Sequence, residues 1–158
     1  RPSAMKLRIV CPGRIKEKWI VDGINEYVKR ISRFCRVEII EVADSPDSLP
    51  ADKAIKKEGE LILSKVSDSD ILWVMDLHGK LLTSEELSSN MVEAFTKGGS
   101  QLTIAIGGSR GIDQSVLDRS SLRVCLGKIT LTHQMTRVIL LEQVYRGFKI
   151  ANNENYHK

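Results

Sequence analysis

Four stretches in the last third of the chain carry residues that could do chemistry together. Gly107-Gly108-Ser109-Arg110-Gly111 sets three glycines in five residues. Such a run lets the backbone turn sharply and approach a ligand closely. It also feeds a helix start, where free N–H groups can meet an electronegative group. No Gly-Lys-Ser/Thr follows, so it is not a phosphate loop, and its spacing is not that of a dinucleotide fingerprint. A plain strand-to-helix turn would use the same residues. The second stretch is Leu126-Gly127-Lys128-Ile129-Thr130-Leu131. Its apolar side chains could wall an adenine while its N–H and C=O groups bond the base edge. It could equally be a buried connector. The third is a helical stretch with His133, Arg137, Glu142, Tyr145 and Arg146 set among apolar residues. Glu142 and Arg146 have the spacing of an i,i+4 ion pair. Taken alone, His133 is as well explained as a capping or hydrogen-bonded histidine. The fourth is Tyr156-His157-Lys158, which could stack on a base and hold its phosphate, or simply fray.

The bulk numbers set limits on that chemistry. The chain has 158 residues, 42% apolar and 28% charged, as in an ordinary globular domain with one core. Residues 5–158 are expected to form that single domain. Arg1 to Ala4 precede Met5 and are expected to be an expression remnant. Formal net charge is +4, which suits an RNA partner without requiring one. The cations cluster: Lys16, Lys18, Lys29, Arg30, Arg33 and Arg36 lie in or beside the first predicted helix. On charge alone, that is equally a solvated helix face. Cys11, Cys35 and Cys125 are widely spaced, and His78, His133 and His157 are scattered. No metal site is expected, and the thiols suit a reduced, cytoplasmic protein. No apolar run approaches the ~20 residues that span a bilayer, so no membrane partner is expected.

The elements that must position these residues alternate. Strands are predicted over 6–11, 36–42, 70–76, 102–106 and 122–126. Helices are predicted over 16–33, 52–66, from the Thr83–Glu86 capping box to Gly98, over 113–119 capped by Asp113, and over 133–149 with Thr132 as a cap. Gly59 inside a helix suggests close packing against it, or simply a weak helix. This rhythm predicts an α/β domain with a mostly parallel sheet flanked by helices. Ligands of such sheets sit beyond the carboxyl ends of the strands. The apolar surface of the last helix is too broad for one stripe, so it is expected to be buried or to pack on a partner.

The chain also resembles a known family. The matching pieces are Lys57-Glu58-Gly59-Glu60, Asp76-Leu77-His78-Gly79-Lys80 and Ile106-Gly107-Gly108-Ser109. Further on come Ile129 to Met135, Arg137-Val138, Glu142-Gln143-Val144-Tyr145-Arg146 and Tyr156-His157-Lys158. In this order they resemble the RlmH family, ribosomal RNA large-subunit pseudouridine N3-methyltransferases of the SPOUT superfamily, from Met5 to Lys158. One departure is Thr132, where the family commonly has proline; that change could loosen the loop before it. The resemblance implies a C-terminal trefoil knot and a homodimer packed across the last helix. It implies S-adenosylmethionine in a pocket of Met75, Gly107, Leu126, Gly127, Lys128, Ile129, Thr130 and Leu131. The implied acceptor is N3 of a pseudouridine in a hairpin loop of 23S ribosomal RNA, methylated on assembled ribosomes.

That nitrogen is a weakly acidic imide and must lose its proton, so a general base within hydrogen-bond reach is expected. Glu142, His133 and His157 are the candidates. Arg137 could stabilise the imide anion or hold a phosphate. Tyr156, His157, Lys158 and Arg146 are expected to contact RNA. Three rivals stand beside this reading. A non-catalytic ribosome-binding or RNA-binding module explains the charge and the tail, but not a glycine turn and an apolar loop at neighbouring strand ends. An α/β oxidoreductase or flavin-binding domain lacks the fingerprint. The third is a SPOUT methyltransferase acting on another RNA, such as transfer RNA.

Overall fold

In the computed structural model, which describes residues 4–158, five strands alternate with five helices. The expected remnant lies outside the described residues except for Ala4. The strands are β1 (Lys6–Pro12), β2 (Arg36–Val42), β3 (Leu72–Leu81), β4 (Gln101–Ala105) and β5 (Leu122–Cys125). The helices are α1 (Lys18–Ile31), α2 (Ala51–Leu63), α3 (Ser84–Lys97), α4 (Gln114–Arg119) and α5 (His133–Ala151). The sheet order is β2-β1-β4-β3-β5, and every pairing in it is parallel.

Each face of the sheet builds its own core, which is why the strands read as near-continuous apolar runs. Leu7, Ile9, Trp73, Leu102 and Ile104 point to the side covered by α1, α3 and α5. Val10, Leu72, Val74 and Ala105 point to the side of α2 and α4. Helix α5 inserts Leu140, Leu141, Val144 and Phe148 into the first core. Each contributes roughly 1.5–3 kcal/mol relative to exposure. The predicted caps are present: Thr83 and Glu86 bond reciprocally, and the Asp113 side chain accepts from Ser115 N–H. Gly59 is indeed a close approach, since a Cβ there would lie 2.7 Å from Asp113 Cβ.

The largest departure from expectation is β3, which runs on through Asp76-Leu77-His78-Gly79-Lys80. Met75 and Lys80 both pair with Val124, so the strand slips register by an irregularity between them. A Cβ on Gly79 would meet the Arg123 carbonyl carbon at 2.7 Å. Only a residue without Cβ lets these two backbones come so close.

Candidate active site

The sheet register brings three of the predicted segments to one edge. Val74 pairs with Ala105 on one side and Arg123 on the other, and Met75 pairs with Val124. Gly107 is two residues beyond Ala105, and Leu126 is two beyond Val124. Met75, the glycine turn and the apolar loop therefore leave the sheet side by side at its carboxyl end, where α/β ligands sit.

Local chemistry fixes the turn. A Cβ on Gly107 would lie 2.7 Å from Gly111 O, and Gly111 itself adopts φ +112°. The Arg110 guanidinium clasps the turn to the loop after β2, donating to Leu49 O at 2.6 Å and Pro46 O at 3.3 Å. The neighbouring loop is open by contrast. Gly127 has φ +157°, with nothing near where a Cβ would sit. Cys125 Sγ–H donates to Gly127 O at 3.0 Å. Among the described residues, Gly127 to Leu131 make no backbone–backbone hydrogen bond, so apart from Gly127 O their N–H and C=O groups are open to a ligand edge. Ile129 is 79% exposed, an apolar side chain with nothing over it. The donor set and the bare apolar wall thus fit an adenosyl group. Thr132, at the end of this loop, is tied to the helix that follows. Its side chain caps α5 by accepting from Met135 N–H at 3.1 Å, and its carbonyl accepts from the Thr136 hydroxyl. A proline has no such side-chain oxygen.

Against this loop lies a cavity of about 150 Å³ lined by Leu82, Thr83, Val124, Leu126, Ile139 and Gln143, among others. Small-molecule sites commonly enclose about 300–1,000 Å³, so this hollow is too small to be a whole one. A larger cleft, about 360 Å³, lies at the opposite end of the sheet beside Met5, Lys6, Arg36 and Gly99. None of the predicted site residues lines it.

Of the residues lining the smaller cavity, Gln143 also belongs to a polar cluster on α5. Gln143 Nε2 donates to Glu142 Oε1 at 3.0 Å. Arg146 grips the same carboxylate with two bonds, at 2.9 and 3.4 Å, and Tyr156 donates its hydroxyl to Oε2 at 2.9 Å. The Arg146 guanidinium lies over the Tyr156 ring, 4.8 Å from its centroid, and the ring meets Tyr145 edge-on at 4.9 Å. The tail is therefore docked on α5, not frayed. Burial and the Glu142 carboxylate hold the Tyr156 phenol up to about 12, so it remains a donor near neutral pH. His157 bridges the cluster outward, with Nδ1 3.1 Å from Arg146 Nη1 and Nε2 3.3 Å from Glu85 Oε1. Arginine can only donate, so Nδ1 accepts and Nε2 carries the proton. Lys158 is exposed.

His133 and Arg137 lie apart from that cluster. Nine residues separate His133 from Glu142, about 13 Å along a helix axis. Arg137 is 1% exposed. Its guanidinium donates to Glu41 Oε2 at 2.7 Å, Gly13 O at 2.9 Å and Pro12 O at 3.0 Å. Its two terminal nitrogens tie α5 to the ends of β1 and β2, while its buried Nε has no partner among the described residues. His133 is half-buried beside it. Burial and the Arg137 charge push the imidazole pKa down, opposed by Asp44 and Glu58, so the ring favours its neutral form. Sequence reasoning gave no role to Glu41 or Asp44, and met Glu58 and Gln143 only within matching pieces. The available signals were a charge within a β-branched strand (Glu41) and a charge on the buried face of a helix (Glu58).

A family model described as "Predicted SPOUT methyltransferase" matches residues 5–157. The chain belongs to the SPOUT methyltransferase family. Its trefoil knot is implied by that membership and accords with α5 packing between α1 and α3 after β5 joins the edge of the sheet. Curated SPOUT relatives match along the full chain. The ribosomal RNA large subunit methyltransferase H of Enterococcus faecalis is 43% identical, covering 98% of this chain and 100% of the relative. The proteins of that name from Acetivibrio thermocellus and Carboxydothermus hydrogenoformans are 44% and 45% identical over the same shares. A solved structure of a probable methylase family protein from Haemophilus influenzae superposes with a TM-score of 0.55 at 15% identity. It covers 96% of this chain and 70% of the other, and speaks for the fold alone. Among the described residues, no helix is long and apolar enough to cross a membrane, and no cluster of metal-ligating side chains occurs.

Proposed function

We propose that this chain methylates N3 of a pseudouridine in a hairpin loop of 23S ribosomal RNA, using S-adenosylmethionine, on assembled cytoplasmic ribosomes. The relatives are named for ribosomal RNA of the large subunit. The observation that carries the reading is the convergence of Met75, Gly107 and the Leu126–Leu131 loop at neighbouring strand ends. Met75, Gly107, Leu126, Gly127, Lys128, Ile129, Thr130 and Leu131 would hold the cofactor. When bound, it supplies an electrophilic methyl group on a sulfonium.

The chain's own part is alignment and proton removal. Of the three candidate bases we propose Glu142, because its neighbour Gln143 lines the cavity that opens from the cofactor loop. His157 reaches Glu142 only through Arg146, and His133 belongs to the other cluster. Arg146 then sits where it can offset the charge of the imide anion, and Tyr156, His157 and Lys158 meet the RNA from the tail. Arg137 acts as a positioning residue. A homodimer would pack across the outward side of α5, where Met135, Val138 and Ile139 are only half-buried, and would enlarge the partial cavity.

Thermal unfolding tests the cofactor assignment. S-adenosylmethionine at 100 times its Kd adds about 2.7 kcal/mol to a folded state that alone binds it. For a chain of this size the midpoint should rise by roughly 5–10 °C. NAD and FMN should leave it unchanged. A rise with FMN and none with S-adenosylmethionine would remove the methyltransferase reading.

A further inference from the structure

The loop between β1 and α1 is anchored at every second point and bare between. Ile15 is 7% exposed and Ile20 is 2% exposed. The Ile15 N–H donates to Glu41 Oε2, and Arg137 holds Pro12 O and Gly13 O from below. Between these anchors Arg14, Lys16 and Lys18 are exposed. Arg14 and Lys16 have no ion-pair partner among the described residues. Lys18 pairs only with the exposed Asp22, one turn on.

Trp19 follows these cations directly in the chain and is 61% exposed. Tryptophan is on average well buried, and the chain's other tryptophan, Trp73, is 4% exposed. The Trp19 ring edge is fixed, because Nε1 donates to Glu17 Oε2 at 2.7 Å. That bond also occupies the stretch's one carboxylate. A held indole with cations just before it in the chain has the makeup of a stacking platform for single-stranded nucleic acid. The loop follows the carboxyl end of β1, so it lies at the same end of the sheet as the glycine turn and the cofactor loop.

We propose that Trp19 stacks on an unpaired base of the ribosomal RNA while Arg14, Lys16 and Lys18 meet its phosphates. This rests on the RNA-methyltransferase reading and adds a contact remote from the tail. A second copy of the chain is disfavoured as occupant, since it would have to bury three cations of one sign. Through Arg137 the platform is joined to α5, so RNA seated there is held in register with Glu142.

The test compares wild type, Trp19→Ala and Trp19→Phe for binding to purified bacterial ribosomes at fixed salt. Loss of one stacked base should weaken Trp19→Ala between about 5- and 100-fold, with Trp19→Phe near wild type. Lys16→Ala should lower the slope of log affinity against log salt by about one. S-adenosylmethionine affinity and sedimentation mass should not move in either tryptophan variant. Ribosome binding unchanged in Trp19→Ala would overturn the platform and leave the methyltransferase reading standing. A changed sedimentation mass would assign the indole to a copy–copy interface instead, which also overturns it. Wild type that binds no ribosome would overturn both readings.

Discussion

Glu142→Ala should lower methyl transfer by on the order of 10²–10³-fold, within the range commonly contributed by a positioned acid or base. S-adenosylmethionine affinity should stay nearly unchanged, because the cofactor segments lie at the carboxyl ends of β3, β4 and β5 and not on this helix face. Two effects combine in the variant. The proposed proton acceptor is gone, and Arg146, Tyr156 and Gln143 lose their common partner. Glu142→Gln separates the two, because it keeps an oxygen for Tyr156 while giving up the basic carboxylate. If the carboxylate takes the imide proton, the glutamine variant is nearly as slow as the alanine one. A glutamine variant within about threefold of wild type in kcat/KM would reassign Glu142 to holding the tail.

Arg137→Met should destabilise the fold by about 3 kcal/mol, the low end of the cost of breaking a buried charge pair. The thermal midpoint would then fall by roughly 6–12 °C. Glu41 is partly solvated, with 38% of its side chain exposed, so its desolvation is a minor part. The larger part is the pair of carbonyls, Pro12 O and Gly13 O, left without their donor. Arg137→Lys should recover only a fraction, since one ammonium cannot reproduce a fork reaching three acceptors. The midpoints must be compared at one protein concentration if the chain associates. A methionine variant as stable as wild type, but with slowed transfer, would return Arg137 to the reacting atoms.

The order of elements was readable because each signal was local. Alternating apolar runs marked the strands, and Thr83, Asp113 and Thr132 marked helix starts that the structure caps with those side chains. The position of the cofactor segments was readable because strand ends are set by the same runs. What stayed hidden depends on contacts far apart in the sequence. The predicted strand stops at Asp76, yet β5 draws Leu77 to Leu81 into β3 as well, and Gly79 makes sense only once Arg123 lies against it. Arg137 reads as a cation on a functional helix, yet its partners come from β1 and β2, more than a hundred residues earlier for the carbonyls. The docking of the tail follows from Tyr156 finding Glu142 fourteen residues back, which no periodicity reports.

The most direct measurement offers assembled ribosomes and transfer RNA separately to the purified protein with methyl-labelled S-adenosylmethionine, followed by mass mapping of the modified nucleoside. Label should enter 23S RNA as a single N3-methylated pseudouridine, and transfer RNA should stay unlabelled. Label in transfer RNA, or in neither, would contradict the assignment however well the pocket binds its cofactor.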